Sequence, residues 1–208
     1  MRRELKEYAE VVLALEDAGA PIDFARIFGR PGPVHVEIGS GKGTFLVAQA
    51  RGQPEANFLG IEWARKFYRH AVDRIGRWGL HNVRILRADA ATFLRDAVPA
   101  DSVDCFHIYF PDPWPKKRHH KRRLLQSTNL ELLLQRLKPA GEIRVATDHA
   151  DYYEQIREIT SACGDRLEEI EFPRPAGTRE GEVTGTNYER KYVQENRPIY
   201  TAAFRKRA

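Results

Sequence analysis

The chain has 208 residues, of which 42% are hydrophobic and 30% charged, and a formal net charge of +5. That length suits one α/β domain with a sizeable core, and no stretch approaches the about 18 to 20 apolar residues of a membrane span. The two cysteines, Cys105 and Cys163, stand far apart in apolar or helical contexts; this argues against a disulfide framework or a metal site, and a reducing cytoplasm is expected.

In chain order, residues 5–18 alternate charged and apolar positions at helical spacing, with Leu5, Tyr8, Val12 and Leu15 on one face. The charges within that pattern suit a surface helix and not a signal peptide. Glycines and prolines from Gly19 to Pro33 then mark a long connection, so 1–33 reads as a helix and connection ahead of a main domain over 34–208. The pattern predicts strands at Val34–Ile38, Asn57–Ile61, Val83–Arg87, Val103–Phe110 and Glu142–Thr147. Helices are predicted between them at Thr44–Ala50, Ala64–Trp78, Ala90–Ala97 and Arg123–Leu137, with Pro139 and Gly141 forming a turn before the fifth strand. A helix at Tyr152–Ala162, a strand at Leu167–Phe172, a loop over 173–186, a helix at Tyr188–Glu195 and a strand at Ile199–Phe204 close the chain. Five alternations of strand and helix argue for a mostly parallel, doubly wound sheet covered on both faces. Ligands of such sheets bind beyond the carboxyl ends of the strands.

The first strand runs into EIGSGKG, with Glu37 ahead of Gly39, Gly41 and Gly43. Glycines at a strand-to-helix turn admit a ligand close to the backbone. A carboxylate directly before them would repel a pyrophosphate, and GSGKGT lacks the spacing of a phosphate-binding loop. Glu37 instead suits a ligand with a cationic amino group, such as S-adenosylmethionine. Glu62 ends the second strand, about 20 residues on, where an acid accepts from ribose hydroxyls. Trp63 after it suits packing near an adenine, or a core or capping role. Asp89 ends the third strand and fits both an adenine contact and a helix N-cap.

The fourth strand ends in FPDPWPKKRHHKRR. Prolines and aromatic residues make a rigid lip around Asp112, and Lys116 follows with the run Lys117, Arg118, Lys121, Arg122 and Arg123. That run fits either a solvated helix start or a surface for RNA phosphates. Asp148 follows the fifth strand, and Thr186 with Glu189 fits a capping box.

Together, EIGSGKG, Glu62, the FPDPWPKKRHHKRR block, Thr147-Asp148 and the late TNYE segment resemble the bacterial tRNA (guanine-N7-)-methyltransferases from about Val34 to the C-terminus. The resemblance implies a class I S-adenosylmethionine-dependent methyltransferase fold, with a doubly wound, mostly parallel seven-stranded sheet whose last strand is antiparallel, and makes 34–208 the catalytic domain. It implies methyl transfer to guanine N7 in the tRNA variable loop, at position 46 of the tRNA. By position, it implies cofactor binding at Glu37, Gly39, Gly41, Glu62, Asp89 and Asp112, with Asp112 also catalytic. Substrate binding falls to Lys116, Asp148, Thr186, Asn187, Tyr188 and Glu189. The charge of the basic run suits tethering of the tRNA backbone, and no membrane or metal partner is expected. The family contains both monomers and homodimers. A nicotinamide-dependent dehydrogenase is disfavoured by Glu37 and by the want of a second substrate domain. A non-catalytic RNA-binding protein is disfavoured by the intact acids.

Overall fold

The computed structural model describes residues 4–207. Two short helices, α1 (Leu15–Ala18) and α2 (Phe24–Phe28), precede the alternating region. The sheet is built from β1 (Val34–Ile38), β2 (Asn57–Ile61), β3 (Val83–Leu86), β4 (Val103–Tyr109), β5 (Leu137–Thr147), β6 (Leu167–Ile170) and β7 (Tyr200–Lys206). Its order is β3-β2-β1-β4-β5-β7-β6. The first five strands are parallel, and β7 runs antiparallel to both β5 and β6. The expected seven-stranded, doubly wound architecture is therefore present. The order reverses between β1 and β4, so the carboxyl ends of these two strands frame the crevice where ligands of such folds bind.

Strand β2 is buried along its whole length, as a parallel strand covered on both faces must be. On one face, α3 (Thr44–Gly52) and α4 (Arg65–Arg77) close a cluster containing Leu46, Phe58, Ile75 and Ile85. On the other, α5 (Ala90–Asp96), α6 (Ser127–Arg136) and α7 (Ala150–Ser161) close a larger cluster containing Val36, Leu94, Phe106, Leu133 and Ile156. The last helix, α8 (Asn187–Gln194), lies after the long loop. No helix among the described residues is long and apolar enough to cross a membrane.

Three expectations need correction. The helix over residues 5–18 does not form. The chain makes a 3-10 turn at Ala9–Val11, then runs extended, and only α1 is helical. Val11 and Leu13 are the buried residues, an alternation of period two. The reason is the edge of the sheet: Val12 bridges to Ile85, and the Leu13 N–H donates to the Ile85 carbonyl at 2.9 Å, which covers the open side of β3. Tyr8 packs where Gly76 of α4 has no side chain; a Cβ there would stand 2.0 Å from the Tyr8 ring. Leu13, Ile22, Phe24 and Phe28 join the larger core cluster.

Second, β5 starts at Leu137, not at Glu142. Val103 pairs with Leu137 and Cys105 with Glu142, so residues 138–141 are looped out of a continuous ladder. The Pro139–Gly141 turn exists, with Ala140 at φ 62°, but the chain returns to the same strand partner. Third, α6 starts at Ser127. The basic run folds instead as a 3-10 turn over Lys117–Arg122.

Leu13→Ala is expected to destabilise the chain by about 2–5 kcal/mol, as buried leucine truncations do. Leu5→Ala, outside the buried strap, is expected to cost about 0.5 kcal/mol or less. Urea denaturation of both variants checks the strap assignment.

Candidate active site

Glu37 is the penultimate residue of β1 and only 4% exposed. Its Oε2 has no hydrogen-bond partner. Burial, and then the neighbouring Glu62 carboxylate, raise its pKa well above the ordinary value. An unpartnered buried carboxylate is costly unless a partner arrives from outside. Glu37 lines a cavity of about 190 Å³ with Gly39, Gly41, Phe45, Tyr109, Thr186 and Tyr188.

The glycine turn holds Gly39 at φ 79° and Gly41 at φ 55°, conformations that side chains disfavour. Glu62 braces it: one carboxylate oxygen accepts from the Gly41 N–H at 2.8 Å, the other from the Ala64 N–H at 2.7 Å. Burial raises the Glu62 pKa, against the lowering effect of these hydrogen bonds and with a smaller push from Asp112. Glu62 therefore builds the turn as well as facing the place expected for ribose hydroxyls, and each of its oxygens keeps a further lone pair for a ligand. Asp89 caps α5 by accepting from the Thr92 N–H at 2.9 Å. Trp63 is 67% exposed and therefore fills no core role.

A second cavity of about 400 Å³ adjoins the first and shares Gly39, Gly41, Tyr109 and Tyr188 with it. It brings together Glu62, Trp63, Asp89, Asp112, Trp114 and Arg122. A larger cavity of about 610 Å³ lies between the N-terminal strap and α4, and none of the strand-end acids lines it. The donor set therefore points to the two adjoining cavities. Their acids fit a ligand with a cationic group, hydroxyls and an aminopurine, which is the chemistry of S-adenosylmethionine.

Asp112 is exposed at the rim of this site. The residues around it are strained: Phe110 has φ 52° and Trp114 φ 44°. Bulky residues in that region cost about 1–3 kcal/mol each and cluster at functional sites. Lys116, Lys117, Arg118, Lys121 and Arg122 are exposed, and among the described residues none of them forms an ion pair. The Arg122 guanidinium lies 5.0 Å over the Trp114 ring.

Arg123 departs from this pattern. The sequence pattern places it on the RNA surface, but it is 2% exposed. Its Nε donates to the Pro113 carbonyl at 2.8 Å and its Nη1 to Gln155 Oε1 at 2.7 Å, while Nη2 pairs with Asp151. The guanidinium also lies 4.7 Å over the Tyr152 ring. Arg123 thus pins the lip that carries Asp112 onto α7, and cannot reach a phosphate.

Glu189 likewise faces inward. It is 1% exposed, and its carboxylate accepts from the N–H groups of Val183, Thr184 and Gly185 and from the Thr184 hydroxyl. The expected contact with a guanine is therefore replaced by a grip on the end of the loop. Thr186 caps α8 by accepting from the Glu189 N–H at 3.1 Å, which is half of the expected capping box. Asn187 donates to Thr44 Oγ1 at 2.8 Å and ties α8 to the first residue of α3, just after the glycine turn. Tyr188 lines both cavities. Asp148 pairs with Arg197, whose guanidinium lies 4.2 Å over the Tyr192 ring.

One buried cluster leaves no mark in the sequence pattern. His35 of β1 and His107 of β4 are 72 residues apart in sequence, yet their Nδ1 and Nε2 atoms lie 3.0 Å apart. His107 Nδ1 continues to the Tyr109 hydroxyl at 2.9 Å. Cys105 stands beside them, with ligand-type atoms of all three residues within 4.8 Å. Burial holds both imidazoles neutral, His35 down to about 4 and His107 well below 6.5. The chain satisfies polar groups inside the sheet and fixes Tyr109, which lines both cavities.

Arg123→Met is expected to destabilise the chain by about 2 kcal/mol or more, because unpaired buried acceptors cost roughly 1–3 kcal/mol each. Arg122→Gln is expected to shift stability by no more than about 0.5 kcal/mol. Denaturant titration of the two variants separates the inward arginine from the outward one.

Residues 31–202 match a family described as "Putative methyltransferase". The chain is 40% identical to a tRNA (guanine-N(7)-)-methyltransferase of Alkalilimnicola ehrlichii, over 91% of this chain and 79% of that protein. It is 47% identical to the protein of the same name from Nitrosococcus oceani, over 68% of this chain and 60% of that one, less than two thirds of its length. Among solved structures, the 16S rRNA methyltransferase KamB superposes with a TM-score of 0.65 over 89% of this chain and 93% of that one, at 15% identity, a likeness of fold. With its fold, its strand-end acids and this similarity, the chain belongs to the tRNA (guanine-N(7)-)-methyltransferase family.

Proposed function

We propose that this chain transfers a methyl group from S-adenosylmethionine to N7 of a guanine in the variable loop of tRNA. The observation that carries this reading is the 400 Å³ cavity, which sets Glu62, Asp89 and Asp112 against the cationic lip bearing Arg122. S-adenosylmethionine supplies an electrophilic methyl group on a sulfonium. Glu37 would hold its amino group, Glu62 its ribose and Asp89 its adenine.

Guanine N7 carries a lone pair, so no strong general base is needed. The purine becomes cationic as its new bond forms. Asp112 opposes that developing charge and helps to hold the base in line. Its exposure weakens the effect until RNA covers the rim and excludes water. The strained lip, pinned by Arg123, keeps Asp112 at the cavity mouth.

The guanine must leave its tertiary contacts to enter such a site. Asp148, steadied by Arg197, is the candidate acceptor for the guanine N1–H and amino group, the donors that distinguish guanine from adenine. Glu189 contributes indirectly, by fixing the loop end that presents Thr186, Asn187 and Tyr188. Lys116 contacts the substrate, and Lys117, Arg118, Lys121 and Arg122 are free to meet phosphates.

Unmodified tRNA incubated with labelled cofactor, then cleaved chemically at 7-methylguanosine, is expected to give one cut in the variable loop. Label without that cut would contradict the assignment of the atom. Asp112→Asn is expected to lower turnover by roughly 10²-fold, the scale of removing one preorganised electrostatic group; turnover near wild type would remove Asp112 from the chemistry.

Glu37 makes a prediction about pH. Its raised pKa means the folded chain keeps a proton that the unfolded chain releases near 4.5. The stability from this group is present below that pH and is lost as pH rises through the folded value. Glu37→Gln is expected to flatten this fall in a series of melting temperatures against pH. It is also expected to weaken S-adenosylhomocysteine binding by about 10- to 100-fold in calorimetry, the scale of a charged hydrogen bond.

A further inference from the structure

The cavity mouth has two rims. One is formed by Trp114 and by Arg122, the last residue of the basic turn; the other is formed by Trp63, Ala64 and Phe67 at the start of α4. The surface beside the second rim is also basic. Arg65, Lys66 and Arg69 are exposed on α4, with Arg69 at the edge of the cavity beneath the N-terminal strap, and Lys42 is exposed on the glycine turn. Among the described residues, none of these four cations forms an ion pair.

Two observations set this patch apart from an ordinary solvated helix face. First, the initial turn of α4 contains Arg65 and Lys66 and no acid. The positive end of a helix dipole favours acids there, so these cations stand against the local electrostatics. A local choice that opposes helix stability points to a use elsewhere. Second, the patch is continuous with the site: Ala64 and Phe67, which flank Arg65 and Lys66, line the 400 Å³ cavity, and Lys42 lines the adjoining cavity with Phe67. His70, one turn further on, has its pKa lowered by partial burial and then by Lys42 and Lys66, against a smaller opposing effect of Asp73. Asp73 is buried and engaged by Arg77 and the Lys6 N–H.

We propose that Arg65, Lys66 and Arg69 of α4, with Lys42, form a second RNA-contacting surface, across the cavity mouth from the Lys116–Arg122 turn. The inference rests on the RNA reading above and deepens it. A folded RNA that delivers a base into the cavity has backbone on both sides of that base. Two basic rims with acids between them match that charge pattern: phosphates on the flanks, and a base that becomes cationic in the centre. The surface reads backbone and shape, not sequence.

The test uses the full chain carrying Arg65→Gln, Lys66→Gln and Arg69→Gln together. Removing cations from the first turn relieves α4, and the S-adenosylhomocysteine affinity reports whether the variant is folded. Binding of unmodified tRNA is followed by fluorescence anisotropy over a range of salt concentrations. The triple variant is expected to bind at least about tenfold more weakly, with a salt slope reduced by about 2, at roughly 0.7–0.9 for each phosphate no longer neutralised. S-adenosylhomocysteine affinity is expected to be unchanged. Wild-type affinity and slope in the triple variant would overturn the second surface and leave the RNA reading standing. A wild-type chain with no salt-dependent tRNA binding would overturn both.

Discussion

Two carboxylates buried at the ends of adjacent parallel strands govern this site. Glu37 and Glu62 sit on neighbours β1 and β2; burial raises the pKa of both, and Glu62 adds to the rise at Glu37. Glu62 offsets its burial with two backbone hydrogen bonds, and in doing so shapes the glycine turn. Glu37 has no such relief at Oε2. The fold therefore leaves one buried carboxyl oxygen without a partner at the crevice between β1 and β4. Around it stand the glycine turn, the lip that carries Asp112 and the start of helix α8, all of which line the two cavities.

The lip shows how a site on a loop can be held to a rigid scaffold. Phe110 and Trp114 sit in unfavourable backbone conformations on either side of Asp112. That conformation persists because the surroundings over-determine it. The Phe110 N–H donates to the Ala146 carbonyl at 2.7 Å, and Arg123 grips the Pro113 carbonyl from below. The same basic run thus has two roles, with its exposed members facing outward and its last arginine serving as an internal bolt.

Much of this is legible in the sequence. The four buried strands β1 to β4 and the strand-end acids follow from apolar runs ending at glycine, acid or proline. The seven-strand architecture and the role proposed for Asp112 follow from the family resemblance. What escapes are features set by long-range partners. The strap over β3 looks helical because its charges fall at helical spacing, and only an open sheet edge makes period two win. Arg123 looks like its neighbours, and nothing local says that Gln155 and Tyr152 will enclose it. Glu189 fits a capping box, yet its carboxylate goes to three amides of the preceding loop. The link from His35 to His107 needs the β1–β4 pairing to exist first.

The grip of Glu189 has an evolutionary consequence. Its main partners are the backbone N–H groups at 183, 184 and 185, which every residue except proline supplies. The side chain at 183 is thus free to drift without loosening the loop. Gly185, at φ 69°, is held by its backbone conformation, and Glu189 by its reach. A latch of this kind tolerates a change of side chain at position 183 while the position of α8 over the cavity stays the same.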